Sequence, residues 1–156
     1  MLNNAINKKG MNQITNSILM ISPVSFRGNE QTAVNNYYQK ILNNLSSNSI
    51  HQKALLEFNN LADKLERAGV NLIVISDTKK IDTPDSIFPN NWVSFHKNGK
   101  IVLYPMFAEN RRKERRQDIL DLLVDYHHFK IKEIKDFTNF ENHDKYLEGT
   151  GSMVLD

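Results

Sequence analysis

Hydrophobic positions in the first half of the chain alternate between a strand-like and a helix-like spacing. The apolar run SILMIS at residues 17–22 is ended by Pro23 and predicts a buried first strand. Residues 52–70 predict a helix that Gly69 is placed to end, and the run NLIVIS at residues 71–76 predicts a strand that follows at once. The face that this helix buries is predicted to consist of Leu55, Phe58, Ala62 and Leu65.

A second helix is predicted from about Glu30, before the helix at residues 52–70. Its apolar residues have the spacing of one buried face. They are Ala33, Val34, Tyr37, Tyr38, Ile41 and Leu45.

The second half of the chain continues the alternation of strands and helices. The runs WVSFH and KIVLYPM are joined through Asn98-Gly99, and this pair of residues favours a type I′ turn and so a β-hairpin. Residues 108–128 predict one helix with Asn110 as a possible N-cap and with Ile119, Leu122, Leu123 and Tyr126 facing the core. Strands are expected near residues 129–134 and 151–156. The predicted fold class is therefore α/β.

Composition limits the size of the fold and the kinds of partner. With 156 residues and 40% hydrophobic content, the chain is long enough for one core, so we expect one domain or part of a larger one. We assign residues 1–17 to a flexible N-terminal extension and residues 18–156 to the domain. A net charge of +2 gives no general attraction to nucleic acid or membrane, and we expect a cytoplasmic protein.

Cysteine is absent from the sequence, which excludes disulfides, thiolate metal sites and thiol nucleophiles within this chain. His96 is a tempting base or metal ligand. It lies on a predicted strand with no second ligand at a suitable spacing, so an exposed or hydrogen-bonded histidine is the simpler interpretation. We expect neither a metal nor a cofactor.

Two polar side chains precede the hairpin, at Asn90 and Asn91 in the loop SIFPNNW. Proline and asparagine are favoured in turns for backbone reasons. Polar side chains at the end of a strand are also held rigidly enough to recognise a ligand. Both interpretations stay open from the residues alone.

The segment NRRKERR concentrates five cations in residues 111–116, near the start of a predicted helix. Cations at that end oppose the helix dipole. The structural interpretation is local pairing of Arg111 with Glu114 and of Arg115 with Asp118. The functional interpretation is binding of an anion, either nucleic acid or a carboxylate substrate, although no aromatic residues are interleaved to stack bases.

Glu148 is the carboxylate with the most unusual surroundings. It precedes Gly149 and Gly151, which allow close approach of the backbone, and apolar residues flank the segment on both sides. A surface carboxylate is the ordinary interpretation. A carboxylate in this setting could also hold a cationic or amide-like substrate, and we favour that role for Glu148.

Several blocks in order, FPNNWVSFH, LYPM, NRRKERR and LEGTGSMVLD, together with the early SPVSF, resemble the amidinotransferase-related citrulline hydrolases of the guanidino-group-modifying superfamily. This resemblance implies part of a pentein fold, an α/β propeller of ββαβ modules. It also implies a chemistry in which a cysteine attacks the guanidino or ureido carbon, a histidine acts as acid and base, and acidic residues hold the substrate nitrogens.

The resemblance assigns roles to three residues of this chain. Glu148 matches the family's catalytic carboxylate, and Asn90 and Asn91 are expected to bind the substrate. Asn91 falls near the position where arginine-processing relatives carry Asp. The run Glu148-Gly149-Thr150-Gly151 points to the citrulline branch, so the expected ligand is a ureido or guanidino amino acid.

One departure from the family pattern limits these roles. The family's His and Cys lie downstream of the Glu-Gly block, whereas His127, His128 and His143 precede Glu148 and no Cys is present. We therefore expect the N-terminal portion of an incomplete pentein, inactive alone, which contributes substrate recognition and the carboxylate. A separate C-terminal half or self-association is a possible partner. The alternative is a truncated, non-catalytic ligand-binding or interaction protein of the same fold.

Overall fold

The structure is a computed structural model that describes residues 15–37 and 45–154. It contains five strands and five helices in these residues. Their bounds are β1 Ser17–Ser22, α1 Glu30–Ala33, α2 Ser47–Arg67, β2 Asn71–Ser76, β3 Val93–Phe95, β4 Lys100–Leu103, α3 Glu109–Arg112, α4 Gln117–Asp125, β5 Glu133–Asp136 and α5 Gly149–Ser152, with 3₁₀ turns at Pro89–Asn91 and Thr138–His143.

The strands form two small sheets, which confirms the mixed α/β class. In the first sheet β1 pairs in parallel with β2, and Ser17 lies opposite Asn71. In the second sheet β3 and β4 form the predicted antiparallel hairpin, and β5 pairs in parallel with β4. Because α3 and α4 lie between β4 and β5 in the chain, the second sheet and these helices make one ββαβ unit.

The core lies where the two sheets meet α4. Residues from both sheets, from α4 and from two connecting segments are at most 3% exposed, and they form one cluster: Ile21, Trp92, Val93, Ile101, Met106, Ile119, Leu120 and Leu123. Burial of this apolar set fixes β1, β3, β4 and α4 against one another. The loops at the ends of these elements are thereby positioned.

Helix α2 confirms the prediction for residues 52–70 and begins earlier. The Ser46 hydroxyl accepts a hydrogen bond from the backbone N–H of Ser49 (3.1 Å), which caps the N-terminus. Gly69, with φ of +84°, lies just after the last turn. The predicted face of Leu55, Phe58, Ala62 and Leu65 is only half-buried.

The helix predicted from Glu30 is short. α1 spans only Glu30–Ala33, and beyond it Val34 and Tyr37 are 76% and 92% exposed, so their predicted burial is wrong. Tyr38 and Ile41 lie outside the described residues. The helix starts where expected because the Asn29 side chain accepts from the backbone N–H of Gln31 (3.1 Å).

The single helix predicted at residues 108–128 is two helices, α3 and α4. Asn110 lies inside α3 and is not its N-cap, because its side chain is bonded to Asn29. Ile119 and Leu123 are buried as predicted and Leu122 is half-buried, whereas Tyr126 is 77% exposed.

The strand predicted at residues 151–156 is wrong for the residues that the structure describes. Gly149–Ser152 form a single helical turn, Val154 is 96% exposed, and Leu155 and Asp156 lie outside the described residues. Within residues 15–37 and 45–154, no helix is both long and apolar enough to cross a membrane.

Candidate active site

Glu148 accepts hydrogen bonds from three residues in two separate parts of the chain. Its Oε2 accepts from Asn91 Nδ2 (3.1 Å) and from Arg111 Nη1 (3.2 Å), and its Oε1 accepts from the backbone N–H of Phe107 (3.0 Å). Its side chain is 19% exposed. These donors fix both carboxylate oxygens in direction while the group stays in contact with solvent.

The glycines after Glu148 let its segment approach the loop of Asn90 and Asn91. A Cβ on Gly149, whose φ is +44°, would collide with the backbone oxygen of Asn90. A Cβ on Gly151 would lie 2.7 Å from Asn91 Nδ2. The segments are further tied by a hydrogen bond from Asn90 Nδ2 to Thr150 Oγ1 (2.9 Å). The two sequence-predicted sites therefore form one site.

Arg111 is the buried centre of this arrangement, with 4% of its surface exposed. Its guanidinium makes two hydrogen bonds to Glu114, from Nε and Nη2, both 3.0 Å long. Its Nη1 donates to Glu148, and Asp85 Oδ2 lies 3.8 Å from its Nε. The Arg111 cation thus lies among three carboxylates, those of Glu114, Glu148 and Asp85.

Burial and charge set the protonation of this cluster. Burial raises the pKa of Glu114 to about 7, with smaller raising effects from Asp85 and Glu148, against the lowering effect of Arg111. Burial opposes the charge of Arg111, but its hydrogen bonds and attraction to Glu114, with Asp85 and Glu148, raise its pKa above the usual value. Arg111 therefore stays charged.

Two buried asparagines, Asn29 and Asn110, are hydrogen-bonded to each other, and Asn29 is also bonded to Asp85 of the cluster. Asn29 donates from Nδ2 to Asp85 Oδ2 (2.7 Å), and Asn110 Nδ2 donates to Asn29 Oδ1 (2.8 Å). Asn29 is 0% exposed and Asn110 is 5% exposed. Through Asp85, these asparagines link the loop before α1 to Arg111 and so to Glu148.

The family comparison matches most of the chain. The family model described as "N,N dimethylarginine dimethylhydrolase, eukaryotic" covers residues 22–156. The chain belongs to this dimethylarginine dimethylhydrolase family. Its members' guanidino chemistry agrees with the resemblance seen in the sequence, so the prediction of a guanidino-group-modifying pentein relative is confirmed.

Similarity to a solved structure shows that this chain has part of a pentein fold. The chain is similar to the apo crystal structure of ArgZ, described as an arginine dihydrolase from the ornithine-ammonia cycle in Cyanobacteria. The TM-score is 0.57 at 15% sequence identity, and the match covers 90% of this chain and 18% of the ArgZ chain. No curated protein matches the sequence.

The cationic segment of this family member is used structurally. Arg111 pairs with Glu114 as predicted, but Arg115 pairs with Glu141 through bonds of 2.5 and 2.9 Å and not with Asp118. Asp118 accepts from Arg116 instead (2.6 Å). Arg112 Nε lies 3.5 Å from the same Glu141 carboxylate that Arg115 binds. Each arginine of the segment is therefore paired with a carboxylate of the chain.

His96 is exposed, and its Nε2 lies 3.0 Å from Ser94 Oγ, as the simpler interpretation predicts. The described residues contain no group of three His, Asp or Glu side chains that could hold a metal ion.

The sequence did not predict the buried residues of the candidate site. Asp85 and Asn29 gave no local signal, because their partners lie 56 residues apart in the chain. Arg111 was noticed only as part of a charge cluster. Its spacing of three from Glu114 was the one signal that a buried pair is formed.

Proposed function

We propose that this chain carries the substrate-recognition part of a hydrolase site that acts on the ureido or guanidino carbon of citrulline or a related arginine derivative, with ornithine as a product. Glu148 is the carboxylate that holds the substrate nitrogens, and Asn90 and Asn91 bind beside it. The family membership supports the guanidino chemistry in general. The choice of citrulline comes from the residues of the site.

The fixed carboxylate of Glu148 is the observation that carries this proposal. Three protein donors orient it, yet it is not fully buried. The N–H groups of a ureido or guanidino ligand are planar and point in fixed directions, so a pre-oriented carboxylate suits them.

Asn91 favours a ureido ligand over a guanidinium. Its Nδ2 carries two hydrogens, and one of them is donated in the 3.1 Å hydrogen bond to Glu148. A ureido group presents a carbonyl oxygen that can accept the other hydrogen, whereas a guanidinium offers only donors. An amide at position 91 therefore complements citrulline better than arginine.

The covalent step lies outside the role proposed for this chain. The sequence contains no Cys, and the resemblance assigns the attack on carbon to a cysteine. A Cys and a His that are not among these 156 residues would supply that step. The alternative is that the same site makes the chain a ligand-binding protein of the same fold.

Calorimetric titration of the purified chain tests the recognition role. L-Citrulline, L-arginine and dimethylarginine are titrated into the wild type, Glu148→Gln and Glu109→Gln. Glu109 is an exposed acid of α3, so Glu109→Gln matches the loss of charge. We expect Glu148→Gln to weaken citrulline binding by about tenfold or more, as for loss of a charged hydrogen bond, and Glu109→Gln to bind like the wild type. Equal affinity of Glu148→Gln and the wild type would overturn the proposal.

A further inference from the structure

Strand β1 has a backbone edge that faces away from its partner. The carbonyl oxygens of Asn16 and Ser22 accept from the backbone N–H groups of Asn71 (2.7 Å) and Asp77 (3.0 Å), at the two ends of the β1–β2 pair. Backbone groups of successive residues in a strand point to opposite edges. The even-numbered residues of β1 therefore face β2, and the odd-numbered residues, including Leu19, face the other edge.

The second sheet shows what a completed unit looks like. There β4 has β5 in parallel on one side and β3 antiparallel on the other. In both sheets helices lie between the two parallel strands in the chain, so β1 and β2 correspond to β4 and β5. Among the described residues, no strand beside β1 holds the position that β3 holds beside β4.

A cleft of about 1560 Å³ is lined by β1, by Ile73 of β2 and by residues of α2 and of the β3–β4 hairpin. Residues 15–20 line it consecutively, whereas β3 contributes only Val93 and Phe95, which alternate. Alternate residues present one face of a strand, while an unbroken run presents its edge. The cleft is apolar at Phe58 and Leu61 of α2 and at Phe129.

The rim of the cleft is basic. Lys97, Lys130 and Lys132 line it, are exposed, and make no ion pair with another described residue. Glu57 of α2 is the one acidic residue among the described residues of the lining, so the cations outnumber the anions there. Residues 1–14 contain Lys8 and Lys9 and no acidic residue, so their charge has the same sign as the rim. Charge complementarity therefore favours a strand from another polypeptide, one that carries acidic residues.

We propose that the free edge of β1 is a docking site for an antiparallel β-strand of a partner polypeptide, apolar at alternate positions and acidic at the end that meets Lys97, Lys130 and Lys132. Strand addition of this kind gives affinity through main-chain hydrogen bonds and specificity through side chains. The cleft also reaches Asn90, so the docked strand would lie beside the candidate site. The proposal stands whether or not Glu148 binds a ureido group.

Amide hydrogen exchange measured by NMR tests this docking site. The probes are two blocked heptapeptides, Glu-Glu-Val-Thr-Val-Thr-Val and the same peptide with Lys-Lys at its start. Leu19 reports on the free edge, because the N–H of Ser17 already donates to Thr15 Oγ1 (3.1 Å). Ile18 and Met20 face β2 and serve as internal controls. We expect the acidic peptide to slow exchange at Leu19 by about tenfold or more and to leave Ile18 and Met20 unchanged.

The basic peptide should bind more weakly than the acidic peptide. Replacement of Lys97, Lys130 and Lys132 by Gln should lower the affinity for the acidic peptide by about tenfold. No protection of Leu19 by the acidic peptide would overturn the proposal. Protection of Leu19 in the peptide-free chain would overturn it as well. In that case, protection independent of protein concentration would indicate residues of the same chain, and protection that rises with concentration would indicate a second copy.

Discussion

Asn91 donates its side-chain amide to Glu148 at 3.1 Å, across 57 residues of sequence. Asn91 ends a 3₁₀ turn before the hairpin, and Glu148 precedes the helical turn α5. Their contact joins the two segments that the sequence suggested separately. The amide of Asn91 also provides one of the hydrogen bonds that the Glu148 carboxylate accepts.

Asn91→Asp should shift ligand preference from citrulline toward arginine. The change places a second carboxylate next to Glu148, and two like charges at this distance favour a cation between them. We expect the ratio of arginine to citrulline affinity, measured by calorimetry, to rise by about tenfold. Asn98→Asp in the hairpin turn is the control, because Asp keeps the oxygen that accepts from the N–H of Lys100. An unchanged ratio in Asn91→Asp would show that Asn91 does not discriminate between the two ligands.

Gly149→Ala should destabilise the fold more than Gly69→Ala. Both glycines have positive φ, of +44° and +84°, so both substitutions incur the backbone cost of about 1 kcal/mol. Only the Cβ at position 149 meets other atoms, the backbone of Asn90 and Asn91. We expect an additional loss of about 1–3 kcal/mol in the free energy of unfolding at position 149. Equal losses, measured by urea denaturation, would contradict the close approach of the two loops.

Glu114 should make stability fall as pH rises from about 4.5 to 7. Its folded pKa of about 7 lies above its usual value of 4.5, so the folded state binds the proton more tightly across this range. The free energy of unfolding is then highest below pH 4.5 and decreases by at most about 3 kcal/mol up to pH 7 through this group.

The measurement for Glu114 is urea denaturation at a series of pH values in the wild type, Glu114→Gln and Glu109→Gln. Glu114→Gln cannot ionise at this position and should lack this part of the pH dependence, while Glu109→Gln should keep it. The difference between the curves isolates the contribution of Glu114. Identical pH profiles for the wild type and Glu114→Gln would contradict a raised pKa at Glu114.

The elements that the sequence predicted well have strong local signals. α2 has regular apolar spacing with a serine cap and a terminal glycine, and the β3–β4 hairpin has Asn98-Gly99 between two apolar runs. Local signals failed where long-range contacts decide the backbone. The helix predicted at 108–128 is divided because Arg115 and Arg116 bind carboxylates and carbonyl groups elsewhere in the fold.

The site was predicted in part for the same reason. Glu148 and Asn91 could be proposed because glycines and a Pro-Asn-Asn turn mark their loops. The buried network that orients Glu148 could not, because Asp85 and Asn110 both bond to Asn29 from positions 56 and 81 residues further along the chain. The segment after Glu148 was predicted to be a strand from its apolar residues. The approach of Gly149 to Asn90 requires a turn there instead.

NMR of the chain with citrulline labelled at the ureido carbon and nitrogens tests the recognition site most directly. The account predicts close contacts between the ureido N–H groups and the side chain of Glu148, and a contact between the ureido group and the Asn91 side-chain amide. At the same ligand concentration, both should be weaker in Glu148→Gln and unchanged in Glu109→Gln. Ureido contacts confined to other residues, or contacts that persist unchanged in Glu148→Gln, would contradict the assignment of this site to the ureido group.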